Sequence, residues 1–220
     1  VEKAIVSWST GKDSALVLHS TLNDPEYKTI ALLTTVAASS NRVSMHGVHR
    51  ALLEQQAASI GLPLKIVSFT PNEGIEIYET SLQEVLLEYQ HKGVKTVVIG
   101  DIFLDNLRKE REAKLAKIGM KAVFPLWKRN TRDLACAFIN LGFKAITTSV
   151  DTTALGKEFL GRTIDEEFLA RLPASVDPCG ENGEFHTFVF DGPIFARPVS
   201  FIIGEQYIFN DRYLNCDLTI

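Results

Sequence analysis

Cysteine is scarce in this 220-residue sequence: Cys136, Cys179 and Cys216 lie far apart, and no Cys-x-x-Cys pair occurs. A disulfide framework and a four-thiolate zinc site both need closer or more numerous thiols, so the expected setting is a reducing cytoplasm. No apolar run approaches the roughly 20 residues that cross a bilayer, and the first residues lack the pattern of a secretory leader. Positive charge is not in excess either. Lys and Arg number 23 against 27 Asp and Glu, a net charge of -4. That balance disfavours broad nucleic-acid binding, although a local basic patch is compatible with it. Repeats and low-complexity tracts are absent. What remains, 45% hydrophobic and 23% charged residues, is an ordinary globular mixture, enough for one large domain or two small ones.

The hydrophobic pattern alternates between strand-like runs and helical periods. Residues 3–8, 30–36, 64–69 and 96–100 read as strands. Between and after them, residues 48–60, 74–91 and 105–118 read as helices. This βαβα order predicts an α/β fold, a parallel sheet with helices on both faces and right-handed crossovers. Past Phe124-Pro125-Leu126-Trp127 the rhythm changes. One helix (131–141), one strand (144–148), a charged helix near 165–172 and then strand-like runs at 185–190, 201–203 and 207–209 predict a smaller α+β region. The expected division is a nucleotide-binding domain at 1–128 and a substrate-binding domain at 129–220.

The first strand runs into Ser9-Thr10-Gly11-Lys12-Asp13-Ser14 and then into an apolar helix. A strand that turns through small residues and Gly-Lys into a helix start makes an anion cradle: N–H groups face outward, and the helix dipole favours negative charge. Lys12 adds a full charge, and Ser9, Thr10 and Ser14 add hydroxyl donors. A Walker A loop does not fit, because Val6 and Asp13 stand where it needs Gly and Ser/Thr. No Gly-x-Gly-x-x-Gly follows the strand either. A tight turn carrying a surface lysine is the plain alternative. Ligands of open α/β sheets lie at the carboxyl ends of strands, which adds Ser7, Thr34, Gly100 and Asp101 as candidate nucleotide contacts.

A second dense stretch is Asp177-Pro178-Cys179-Gly180-Glu181-Asn182-Gly183-Glu184-Phe185-His186-Thr187-Phe188. Strand alternation through 184–190 puts Glu184 and His186 on one face, where a carboxylate beside an imidazole forms a proton-transfer pair. A glycine turn with solvated acids is the competing explanation, and it accounts for the glycines better than for the clustered acids and histidine.

The first loop resembles the Ser-Gly-Gly-Lys-Asp-Ser loop of the PP-loop ATP pyrophosphatases, with Thr10 in place of the first Gly. The second stretch, followed by Asp191-Gly192-Pro193-Ile194-Phe195, resembles the C-terminal signature of the diphthine–ammonia ligase family. Residues 100–112, Pro125-Leu126-Trp127 and Leu160-Gly161-Arg162 resemble further motifs of that family, in the same order, with Leu104, Asn106, Leu107 and Glu110 in place of its Ser, Tyr, Gln and Arg. Asp101 stands where the family has Ala, and Asn182 and His186 where it has Gly and Glu. The Glu-Asn-Gly-Glu-Phe-His-Thr version resembles the bacterial branch, for which diphthamide is not the expected product. The resemblance implies a HUP-like PP-loop domain and an ATP-dependent ligase that forms AMP and pyrophosphate. Such a ligase adenylates a carboxylate or amide oxygen and then amidates it with ammonia or an amine. ATP is the implied cofactor, with Mg2+. The acceptor is a small molecule or a protein side chain. Lys12, Glu181, Glu184 and His186 are the candidates for catalysis. Met45, His46, Arg108, Gly183, Glu184 and Thr187 are candidate substrate contacts. Asp13 suits helix capping or a water-mediated hold on Mg2+. Two alternatives stay open: an ATP/AMP-binding protein without turnover, and a PP-loop RNA-modifying enzyme, which paired thiols or a basic surface would favour. His46 and His49 permit a metal pair by spacing, but no third ligand accompanies them, and no resident metal is expected. Arg108 and Glu112, spaced i,i+4, suit a plain ion pair. Cys179 reads as a packed turn residue rather than a nucleophile. Exposed β edges in the C-terminal part leave room for a homo-oligomer.

Overall fold

The computed structural model describes residues 1–70 and 74–220. Its first sheet is built on β1 (Glu2–Ser7), β2 (Tyr27–Ala37), β4 (Leu64–Phe69), β5 (Thr96–Val98) and β6 (Lys121–Val123), all parallel to their neighbours. Across the sheet they run β4-β2-β1-β5-β6. β3 (Arg42–Val43) adds a two-residue antiparallel pairing to the end of β2. The chain leaves β1 toward β2 on one side and returns to β5 on the other. Strand order therefore reverses between β1 and β5, and a crevice opens over their carboxyl ends.

Alternation along each buried strand divides its side chains between two cores. Ala4, Val6, Leu32 and Val98 join one cluster, with α1 (Lys12–Leu22) and α2 (Arg50–Ile60). Ile5, Ala31, Leu33, Val97 and Ile99 join the other, with α3 (Ile75–His91) and α4 (Asp105–Lys117). Helices thus cover both faces, as the βαβα pattern requires. Each fully buried aliphatic side chain contributes about 1.5–3 kcal/mol.

The second sheet, antiparallel throughout, runs β8-β7-β10-β9: Phe185–Asp191, Lys144–Asp151, Tyr213–Thr219 and Ile202–Phe209. α5 (Thr131–Asn140) and α6 (Glu166–Arg171) accompany it, and their starts are fixed by Asn130 and Asp165, whose side chains accept the N–H of Asp133 and Phe168. Such caps contribute about 1 kcal/mol each. The first cluster continues into this sheet through Ala145, Phe185, Phe188 and Val189, so the two sheets share one core on the α1–α2 face. Within this second sheet the structure differs from the sequence pattern in three places. β9 is one strand rather than two short runs, β10 is additional, and β7 extends to Asp151.

Candidate active site

β1 delivers the chain to the crevice through Trp8, which is 2% exposed and donates its indole N–H to Gln56 Oε1 at 3.0 Å. Thr10 then turns back with φ +72°, and Gly11 opens α1 in an extended conformation without any side-chain cap. Ser14 Oγ donates to the Gly11 carbonyl at 2.9 Å and accepts from Ser9. These bonds hold the loop against the first helical turn. Gly100 packs β5 against the same turn, since a Cβ there would lie 3.3 Å from the Asp13 carbonyl carbon.

The roof of the loop comes from β8, 175 residues later. Thr187 Oγ1 accepts the Lys12 N–H at 3.1 Å, and Val189 N–H donates to the Thr10 carbonyl at 2.9 Å. That carbonyl also receives Gln56 Nε2 at 3.2 Å, and the same amide reaches Val189 O at 2.6 Å. Gln56 thus ties β1, the loop and β8 together. Sequence reading missed it, although a polar residue on the Leu52-Leu53-Ala57 face of a helix is the signal to look for. Gly11 has no room for a side chain: a Cβ would sit 2.7 Å from His46 Cε1 and 3.2 Å from the Thr187 carbonyl oxygen. Gly11→Ala should therefore push β8 off the loop and weaken ATP binding at least tenfold, measured by calorimetric titration, with secondary structure unchanged by circular dichroism.

Lys12 is 3% exposed; its ammonium is 2.8 Å from Asp13 Oδ2, donates to the Cys179 carbonyl and lies 5.4 Å from the Phe185 ring. Burial, the largest single influence, works to lower its pKa, but Asp13, Cys179 and Glu181 together hold the ammonium above its ordinary value. Acids surround this cation. Glu181 Oε1 accepts the N–H of Ile102 at 2.7 Å and of Phe103 at 3.4 Å, latching the 177–184 turn to the end of β5. Burial pushes Glu181 up to about 7, against the Ile102 bond and with the help of Asp13. Burial also raises Asp101, which sits 3.3 Å from Arg111. Asp177 caps the turn by accepting the N–H of Cys179 and Glu181. The Cys179 thiol is buried, bonded to the Thr131 carbonyl and pushed far up by burial, which suits packing and not nucleophilic attack.

The remaining candidates fall into two groups. His46 and His186 meet in the cleft, ring centroids 4.8 Å apart, and His46 Nδ1 is 3.1 Å from the Thr187 carbonyl. Burial lowers His46 to about 4 and His186 to about 3, so both imidazoles are neutral at pH 7. Glu184 does not pair with His186 as strand alternation suggests. Gly183, at φ +88°, turns the chain, and β8 begins only at Phe185. The Glu184 carboxylate accepts the N–H of Asp177 and Asn182 and the Asn182 side-chain amide, each at 3.0 Å, and so clamps the turn from within. Thr34 is buried with its hydroxyl on the Trp8 carbonyl. Ser7 closes β1 opposite Leu33, and Met45, at φ +64°, is exposed. Arg108 pairs with Glu112 at 2.7 Å, and its guanidinium stands 4.5 Å from the Trp127 ring and 5.1 Å from the Phe124 ring.

Neutral, half-buried histidines make stability depend on acid. Between pH 6.5 and 4 the unfolded chain binds protons at these positions and the folded chain does not, so their contribution, complete above pH 6.5, is lost as pH falls. Glu181 acts in the opposite sense, since its raised pKa disfavours folding above pH 7 and that penalty fades toward pH 4.5. Urea unfolding from pH 7 to 5 should show the native chain losing about 2 kcal/mol more than His186→Asn, at 1.36 kcal/mol per pH unit below 6.5. Parallel pH curves would show that His186 is not held neutral in the folded chain.

Two family descriptions match this chain: the diphthamide synthase N-terminal domain over residues 2–122 and the diphthamide synthase C-terminal domain over residues 130–216. The chain belongs to the diphthamide synthase family. The Ser9–Ser14 loop lies in the N-terminal match of that family, and its β8 roof in the C-terminal one. Among curated relatives, the diphthine–ammonia ligase of Homo sapiens is 31% identical over 137 residues, 60% of this chain and 51% of that protein. The diphthine–ammonia ligase of Danio rerio is 29% identical over 149 residues, 65% of this chain and 58% of that protein. That of Schizosaccharomyces pombe is 26% identical over 135 residues, 60% of this chain and 22% of that protein. This chain therefore matches about half the length of the vertebrate relatives. No helix among the described residues is long and apolar enough to cross a membrane.

Proposed function

We propose that this chain is an ATP-dependent ligase that forms AMP and pyrophosphate while joining ammonia or an amine to a carboxyl or amide carbon of its acceptor. The observation that carries this reading is the Lys12 ammonium, held charged at the uncapped start of α1 in the crevice where strand order reverses. Relatives named diphthine–ammonia ligase support the reaction class. In this reading an acceptor oxygen attacks the α-phosphorus, pyrophosphate departs, and the amine displaces AMP. Lys12 and the loop N–H groups neutralise and orient the phosphates, which is the larger part of what such a transfer needs. The phosphate displaces Lys12 from the Cys179 carbonyl. Asp13, Asp101 and Glu181 are the acids beside it.

A magnesium ion fits this surround. Burial raises the pKa of all three acids, and the neighbouring Asp13 charge raises Asp101 and Glu181 further, a repulsion that a bound cation would relieve. Asp13 and Asp101 would hold the ion and let it offset phosphate charge. Glu181 is suited to take the proton that the attacking amine releases, and the His46–His186 pair lines the acceptor side. Arg108, fixed on Trp127, supplies a cation for an acidic group of the acceptor. The reaction is expected in a reducing cytoplasm.

The test is to incubate the chain with α-labelled ATP, ammonium and candidate carboxylate acceptors, and to separate the products. AMP with pyrophosphate, dependent on both acceptor and ammonium, is the expected result. Release of ADP would overturn the assignment.

A further inference from the structure

Between β3 and α2 the chain makes a tight turn at residues 44–48, and this turn carries His46. Val43 N–H donates to the Val48 carbonyl at 2.8 Å, and Gly47 N–H donates back to the Val43 carbonyl at 3.0 Å. The second sheet grips the turn at three points. On β7, Thr148 Oγ1 donates to the His46 carbonyl at 3.0 Å. On β8, the Thr187 carbonyl lies 3.1 Å from His46 Nδ1. From β10, Asp217 forms an ion pair with Arg42, Oδ1 to Nη1 2.8 Å, and the same Nη1 donates to the Gly47 carbonyl at 2.7 Å. The Tyr207 ring on β9 stands 6.0 Å from that guanidinium. A carbonyl only accepts, so the bond to Thr187 requires the proton on Nδ1 and leaves the lone pair on Nε2. Nε2 is bonded to Cε1, the ring atom nearest a Cβ built on Gly11, and so lies beside the start of α1.

We infer that Arg42 is a positioning residue for the candidate site: by clasping the Gly47 carbonyl against Asp217, it holds the His46 ring over Gly11, with Nε2 as the hydrogen-bond acceptor for an N–H or O–H of the substrate. The inference rests on the proposed function, in which His46 lines the acceptor side. The groups that face His46 are His186 from β8, the Thr187 carbonyl and the Lys12 ammonium from α1. Burial, the Thr187 bond and the Lys12 charge set its protonation, and the Arg42 charge is not among these influences. A change in His46 on altering Arg42 must therefore travel through the turn.

The test is long-range proton–nitrogen NMR of the imidazoles at descending pH in the native chain, Arg42→Gln, Arg42→Lys and an exposed control, Arg50→Gln, with melting temperatures alongside. The native chain and Arg50→Gln should hold His46 as the Nδ1–H tautomer and keep it neutral above about pH 5. In Arg42→Gln the two tautomers should mix, and the titration midpoint should rise by about one pH unit or more as water enters the turn. Arg42→Lys keeps a cation between Asp217 and Gly47 and should return both signals to native. In the labelled-ATP assay, Arg42→Gln should lower kcat about tenfold with KM for ATP within about threefold. A native-like His46 in Arg42→Gln overturns the inference, and so does an equal change in Arg50→Gln. If Arg42→Gln does not fold, Asp217→Asn takes its place and is judged by the same signals. A native chain that forms AMP, with Arg42→Gln turning over at the native kcat, overturns the inference and leaves the functional reading standing. A native chain that forms no AMP brings down the functional reading, and the imidazole signals then decide alone whether Arg42 positions His46.

Discussion

Lys12→Ala should lower stability by about 3 kcal/mol and weaken ATP binding roughly a hundredfold. The stability loss arises because the lysine side chain is 4% exposed and its Asp13 partner 26% exposed. Removing the ammonium strands a carboxylate that already lies among Asp177 and Asp101, and it empties the donor that faces the Cys179 carbonyl. The figure sits at the low end for a broken buried pair because Asp13, raised by burial, takes up a proton when its cation is lost. The affinity loss follows from the proposed function, in which the same ammonium is the full positive charge facing the phosphates. Urea unfolding and calorimetric titration read the two effects. Adding Asp13→Asn to Lys12→Ala should recover stability but not binding. A double variant that stays as unstable as Lys12→Ala would show that the pair is not what couples these residues.

Gln56→Leu carries the second large effect. One buried amide makes three bonds, with Trp8 Nε1, the Thr10 carbonyl and the Val189 carbonyl. Leucine fills a similar volume but leaves the indole N–H and the Val189 carbonyl without partners in a dry core. Each unmatched group costs about 1–3 kcal/mol, so a loss of roughly 3–5 kcal/mol is expected. The denaturation midpoint should fall, and tryptophan emission should shift as the Trp8 N–H loses its acceptor. Because Thr10 also loses one of the two donors that hold its turn, ATP affinity should drop as well. A variant of native stability would mean that β8 alone suffices to fix the loop.

The parallel sheet was legible because its strands are buried on both faces and read as continuous apolar runs broken by helical periods. β10 escaped notice because Asn215 and Cys216 are adjacent and both buried, which breaks the two-residue period expected of a strand with one wet face. β6 escaped because three residues cannot display a period. In the candidate site, the loop was legible as a local string. For Glu184 the alternation of 184–190 starts one residue too early, because β8 begins at Phe185 and Glu184 belongs to the preceding turn. The meeting of His46 with His186 and the reach of Gln56 to β8 depend on contacts between residues more than 130 positions apart, which no local pattern encodes.

The β8 roof has a consequence for modularity. The two regions matched by family descriptions look like units that could be exchanged between relatives or expressed apart. Yet the Thr10 carbonyl and the Lys12 N–H find their partners in β8. A chimera that joins one relative's N-terminal half to another's C-terminal half must therefore reproduce the Thr187 and Val189 contacts at the seam. Severed near residue 128, the first half would expose the apolar face it shares with the second sheet and lose the β8 contacts that shape the Ser9–Ser14 loop.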